Sequence, residues 1–171
     1  MLVKTFRGFE PKIHPTAFVA ENAVIIGDVE IGQEASIWYN CVLRGDVNYI
    51  RIGARTNIQD GTIIHVSRQT HPTIIEHEVT VGHSATIHGC HIETGSLIGI
   101  GAIVLDGVRI GAYSLVAAGS LVTPNTKIPP RSLVMGTPAR IKRQLSDDEI
   151  KDLQKFWQNY VSLISEHQIK Y

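Results

Sequence analysis

An aliphatic residue returns at every sixth position along most of this chain, and that period constrains the fold more than any other feature. Ile13, Val19, Ile25, Ile31, Ile37 and Leu43 follow one another at unbroken spacing. Three extra residues precede a second run, Ile52, Ile58 and Ile64, and five precede a third, Ile75, Val81 and Ile87. One residue is then dropped, and Ile92, Ile98, Val104, Ile110, Val116, Val122, Ile128 and Val134 complete the series. Glycine often comes next, as in Ile31-Gly32, Ile52-Gly53 and Ile98-Gly99, and small residues such as Ala23, Ala35, Cys41 and Ser114 recur four places on. One inward aliphatic side chain per hexapeptide, with a small residue at each crowded corner, builds a left-handed parallel β-helix. Three hexapeptides close one triangular coil, and coils stack at about 4.8 Å. A β-sandwich would instead show a period of two within strands and irregular turns between them. The expected fold class is all-β: a hexapeptide-repeat prism with a C-terminal α-helix.

The whole of 1–171 reads as a single domain, with the prism over 12–137 and the helix over 146–168. The repeat pattern changes at Pro138. Ser146 and Glu149 have the spacing of a capping box, and Asp147 and Asp148 suit the positive helix end. Ile150, Leu153, Trp157, Tyr160 and Ile164 then recur at helical steps, giving an apolar stripe that core packing explains. Sixteen basic and sixteen acidic residues cancel, which speaks against nucleic acid or an anionic membrane as partner. No segment has the roughly 18 consecutive apolar residues of a membrane span, and the first fifteen lack a signal-peptide core. Cys41 and Cys90 are too few for a disulfide framework and suit a reduced cytoplasmic setting as small buried thiols.

Eight histidines are the compositional oddity, and the repeat register sorts them. His65 follows Ile64 and His88 follows Ile87, one whole coil apart, so the two imidazoles should stack on one face and can share a divalent metal such as zinc. His83, two residues after Val81, belongs to an adjacent face and reaches such a site only from a second subunit. A cyclic homotrimer brings unlike faces together and closes, which implies three sites, each with His65 and His88 from one chain and His83 from the next. Three imidazoles with an open fourth position is a catalytic zinc arrangement. Arg44 lies one coil below His65 and Asp60 one coil below His83, so the same contact pairs Arg44 with Asp60 between subunits. His14, His71, His77, His91 and His167 satisfy no such construction. Cys90, near His88, is a further ligand candidate whose default reading is a packed thiol.

At Arg44-Gly45-Asp46, at Ile52 to Asp60 (IGARTNIQD), at His65, Val81-Gly82-His83 and His88-Gly89-Cys90, and at Gly136-Thr137-Pro138-Ala139, the chain resembles the gamma-class carbonic anhydrase family in its short bacterial branch. The similarity covers nearly the whole sequence. It implies a homotrimer that binds zinc, or iron or cobalt, between subunits and hydrates carbon dioxide reversibly to bicarbonate. It also implies roles: Gln59 orienting the hydroxide, Asn57 in the pocket, Asp46 in the interface network, and Tyr160 approaching the site from the helix. The sequence departs from the archetype in the segment after the first histidine, Val66-Ser67-Arg68-Gln69-Thr70-His71-Pro72, which has no carboxylate, and at Val47, where the archetype has glutamate. Without that acidic proton shuttle, weak, conditional or absent activity is expected rather than high turnover. His71 has the right kind of side chain to replace it, although a solvated loop histidine is its default reading.

Two other classes fit the same prism. A hexapeptide-repeat acyltransferase uses one histidine as general base and no metal, which leaves the stacked pair without a purpose; a thioester hydrolase using the same metal is a variant. A non-catalytic metal-binding trimer is the third.

Overall fold

The inward residues of the hexapeptides form one continuous core, and Ile25, Ile37, Leu43, Ile58, Ile64 and Ile87 have no solvent exposure at all. The small residues at the fourth following position, among them Ala23, Ala35, Thr56 and Ala85, are equally buried. The structure is a computed structural model that describes residues 1–167, and it is a parallel β-helix of about seven turns followed by one helix.

Three faces make up the prism. The first carries β2 (Lys12–Ile13), β9 (Thr73–Ile75), β12 (His91–Ile92), β15 (Arg109–Ile110) and β18 (Lys127–Ile128). The second carries β3 (Phe18–Val19), β5 (Ser36–Ile37), β7 (Asn57–Ile58), β10 (Thr80–Val81), β13 (Leu97–Ile98), β16 (Leu115–Val116) and β19 (Ser132–Gly136). On the third lie β1 (Leu2–Lys4), β8 (Ile63–His65), β11 (Thr86–His88), β14 (Ile103–Val104) and β17 (Leu121–Val122). Two long strands, β4 (Val24–Ile31) and β6 (Val42–Ile52), bend round the corner and serve both the third face and the first.

The backbone supplies a corner signal that the sequence does not announce. At most corners the third residue after the inward side chain takes a left-handed conformation, whether it is Glu34 (φ 53°), Arg55 (φ 57°), Ser84 (φ 56°), Tyr113 (φ 57°) or Gly101 (φ 66°). That conformation costs a non-glycine residue about 1–2 kcal/mol. It lets the same residue donate its N–H to the preceding coil, as from Ser84 to the Asp60 carbonyl (2.8 Å) and from Gly101 to that of His83 (2.8 Å). The glycines directly after the inward residue have a different cause. A Cβ on Gly53 would stand 2.4 Å from the Glu76 carbonyl carbon, so only glycine lets the coils stack there.

All three departures from the six-residue period fall at one corner, where the third face turns into the first. The three extra residues are absorbed within β6, with a register shift against β4. The five extra residues are taken up in the segment 66–72, pinned where the Ser67 N–H donates to the His71 carbonyl (2.9 Å). The dropped residue lies between β11 and β12, where Gly89 has φ +54°.

Two elements beyond the repeat were not anticipated. β1 runs parallel to β4 ahead of the first hexapeptide. After Pro138 the chain reverses into β20 (Ala139–Gln144), antiparallel to β19. The helix, α1, then runs Asp147–His167; the expected end at 168 lies outside the described residues. Its capping box forms as the spacing requires, with the Glu149 N–H donating to Ser146 Oγ (3.2 Å) and the Ser146 N–H to Glu149 Oε2 (2.9 Å). Leu153 and Ile164 are buried, and Ile164 joins Phe18, Ala20 and Trp38 in a small second core against the second face.

Packing predicts how the prism should break. Ile110→Ala should cost about 2–5 kcal/mol through the cavity it leaves. Gly111→Ala, whose Cβ would meet Pro130 N at 2.4 Å, should cost about 1–3 kcal/mol by overpacking. Urea denaturation measures both, and an unchanged midpoint in either would contradict the packing described.

Candidate metal centre

The stacking deduced for the histidines is present. β8 and β11 pair in register with His65 beside His88, and the His65 Nδ1 to His88 Nε2 distance is 3.1 Å. Both rings follow fully buried isoleucines and therefore point outward from the third face. The β6–β8 register sets Arg44 one coil below in the same column, as the repeat requires.

The far nitrogen of each ring is engaged. His65 Nε2 meets Asp46 Oδ1 at 2.9 Å, and His88 Nδ1 meets Asp106 Oδ1 at 2.5 Å. Asp46 also pairs with Arg44, and Asp106 Oδ2 accepts from Ser67 Oγ (2.7 Å). Burial works against charge on both carboxylates. Hydrogen bonds from His65 and Arg44 to Asp46, and from His88 and Ser67 to Asp106, outweigh it and hold both below their ordinary range.

The remaining candidates gather on the second face. β7 and β10 pair in register, which places Asp60 beside His83, and His83 Nδ1 lies 2.9 Å from Asp60 Oδ2. Asn57 and Gln59 are buried next to them in a short polar chain. Gln59 Nε2 donates to Asn57 Oδ1 (3.1 Å), and Asn57 Nδ2 donates to Thr80 Oγ1 (2.9 Å). Tyr160 reaches this face from α1 and packs edge-on against Trp38, ring centroids 5.2 Å apart. Burial pushes its hydroxyl pKa up and the Asp60 charge adds to that, which keeps it a phenol.

One chain therefore brings together Arg44, Asp46, His65 and His88 on one face, and Asn57, Gln59, Asp60, His83 and Tyr160 on another. Among the described residues of a single chain, no three His, Cys, Asp or Glu side chains converge on a point that would hold a metal. Within the chain Arg44 is matched by Asp46 and Asp60 by His83.

The donor chemistry fits a divalent cation. With His65 Nε2 and His88 Nδ1 donating to carboxylates, the facing nitrogens each present a lone pair, and two lone pairs at 3.1 Å repel unless a cation or proton lies between them. Two nitrogens bound to one tetrahedral zinc at about 2.0–2.1 Å would stand at a similar separation. Carboxylates on the far nitrogens of metal-ligating histidines are the usual means of fixing ring and tautomer. Carboxylate pairing alone is not diagnostic, because His91 makes the same contact with Glu76 (2.7 Å) and faces no second imidazole. Cys90 does not belong to the set. Its side chain is part of the prism core, where burial raises the thiol pKa.

Asp106 and Ser67 escaped the sequence reading. The signal was available, since Ile87 pairs with Val104 and Asp106 therefore stands one coil above Gly89, next to His88.

A family model described as Bacterial transferase hexapeptide (six repeats) matches residues 89–124. The chain is 48% identical over 162 residues to "Gamma carbonic anhydrase 1, mitochondrial" of Arabidopsis thaliana, covering 92% of this chain but 59% of the plant protein. It is 44% identical over 160 residues to "Carbonic anhydrase" of Geobacillus kaustophilus, covering 94% of this chain and 87% of that one. The solved structure of a hexapeptide transferase family protein from Anaplasma phagocytophilum superposes with a TM-score of 0.92 at 42% identity, covering 98% of both chains.

Both thiols offer a check on the core. Burial raises Cys41 to about 11 and pushes Cys90 up further, so neither is a thiolate at pH 8. A thiol reagent at pH 8 should label neither cysteine in the folded protein and both after denaturation. Fast native labelling of Cys90 would place it outside the core.

Proposed function

The chain belongs to the gamma carbonic anhydrase family, and from that membership we propose that it hydrates carbon dioxide reversibly with a divalent metal held between the subunits of a homotrimer. The observation that carries the reading is the facing pair, His65 Nδ1 and His88 Nε2, with a carboxylate behind each ring. His83, backed by Asp60, is the third ligand and comes from the partner subunit, which accounts for its place on a different face. Zinc is the proposed ion, with iron or cobalt as alternatives; bound there, it lowers the pKa of its water from 15.7 to about 7 and so supplies a nucleophile near neutral pH.

The chain's own residues do the rest. Gln59 donates from Nε2 to Asn57, which leaves Oε1 to accept a hydrogen bond from a hydroxyl in the pocket and so orient it. Asn57 is held by Thr80 and fixes the Gln59 amide. Tyr160 closes the helix side of the pocket as a neutral phenol. Asp60 pairs with Arg44 of the partner subunit, and Asp46 fixes Arg44 for that contact. The segment 66–72 has no carboxylate to carry protons out, so turnover is slow. A cytoplasmic setting belongs to the same reading, since both cysteines are free and buried. Among the described residues, no helix is long and apolar enough to cross a membrane.

The similarity to a hexapeptide transferase family protein keeps acyl transfer as the rival, and metal separates the two readings. Elemental analysis of untagged protein should find about one metal per chain, with carbon dioxide hydration in the zinc or anaerobic iron form. Metal-free protein that acetylates an amine would favour the rival, and metal without hydration would favour a non-catalytic trimer. His83→Ala and His88→Ala should each empty the site while the prism keeps its circular dichroism; parent-level metal in either would refute the ligand set. Asp60→Ala should lower the mass by light scattering. If the missing shuttle limits turnover, added imidazole buffer should raise kcat at saturating carbon dioxide several-fold, and a flat response would locate the limit elsewhere.

A further inference from the structure

The third face carries a group that neither the resemblance nor the repeat register assigned. Asp106 lies in the corner after β14, beside the break in the period between β11 and β12. One oxygen of its carboxylate meets His88 Nδ1 and the other accepts from Ser67 Oγ, in the segment that leaves His65. The corner is cut to admit it. A Cβ on Gly89 would stand 2.2 Å from Asp106 Oδ1 and 2.9 Å from the His71 Cβ, so a side chain there would displace the carboxylate. The segment is tied a second time, because Thr73 Oγ1 donates to the His65 carbonyl (2.6 Å) and accepts from the Gly89 N–H (2.9 Å).

We propose that Asp106 is a positioning residue for the metal centre: it keeps the proton of His88 on Nδ1, turns the Nε2 lone pair toward His65, and through Ser67 locks the segment 66–72 to that ring. The assignment rests on the metal reading for its purpose and on the geometry of the free chain for its mechanism. An imidazole with no partner exchanges its proton between both nitrogens, and the hydrogen bond on one of them decides which is bare. Asp46 performs the matching task for His65 but also carries Arg44, so Asp106 is the cleaner of the two to test.

The test is made on the whole protein, first without metal. Two-bond ¹H–¹⁵N correlation of histidine-labelled protein should show His88 protonated at Nδ1 in the parent. Asp106→Ala should lose that tautomer preference, whereas Asp106→Asn, whose amide oxygen still accepts the proton, should keep it. Zinc affinity by competition with a chromophoric chelator should fall about 10–100-fold in Asp106→Ala, with a smaller loss in Asp106→Asn. Gly89→Ala removes no carboxylate but displaces that of Asp106, and should reproduce the alanine result; it also stands in if Asp106→Ala does not fold. An unchanged His88 tautomer with parent-level zinc affinity in both Asp106→Ala and Gly89→Ala would overturn the assignment. A parent that holds the Nδ1 proton but takes up no zinc would refute the metal reading while upholding the role of Asp106 on His88.

Discussion

Stacking of one coil on the next is the constraint on which the rest of this molecule depends. Each coil buries its aliphatic side chains against those of its neighbours, and each backbone ladder bonds at the sheet spacing. A residue is therefore placed in space by its position within the hexapeptide and its coil number. Registers such as His65 beside His88 and Asn57 beside Thr80 follow from that arrangement alone. A slip of one residue would turn Ile64 and Ile87 outward and the imidazoles into the core. The hydrophobic register and the candidate metal centre are thus one specification, and the cost of losing the first protects the second.

That dependence explains which features were legible in the chain. The period needs only aliphatic residues at fixed steps, so the prism could be read directly, and the stacking of His65 on His88 and of Asp60 under His83 followed by counting. The corner conformation could not be read, because a left-handed backbone is imposed there by the coils on either side and is filled by Glu, Arg, Ser, Tyr or Gly alike. β20 was invisible for another reason: it pairs antiparallel, outside the repeat, and its residues are mostly exposed. Asp106 could be found by counting upward as well as downward, but its carboxylate reaches His88 over Gly89, where a Cβ would stand 2.2 Å from its Oδ1.

The breaks in the repeat therefore carry much of the chemistry. The extra residues in β6 bring Asp46 to His65, the longer excursion carries Ser67, and the shortened turn after β11 opens a place for Asp106. All three stand at one corner, and the two stacked imidazoles lie between them. Across the prism, the polar chain from Thr80 through Asn57 to Gln59 is built on regular coils. The two halves differ accordingly, one shaped by insertions and the other by side chains alone.

The reversal at β20 has a consequence for what this chain avoids. A β-helix ends in unpaired backbone groups on each face, and another prism could add to them end to end without limit. By laying an antiparallel strand along β19, the chain closes the second face at that end with a ladder a parallel coil cannot extend. Charged side chains at Arg140, Lys142 and Arg143 then line the outer strand, and α1 folds back along the side of the prism. The same period that makes the repeat easy to lengthen leaves open edges at its ends, and this short strand covers one of them, on the second face, while β17 and β18 remain terminal on the others.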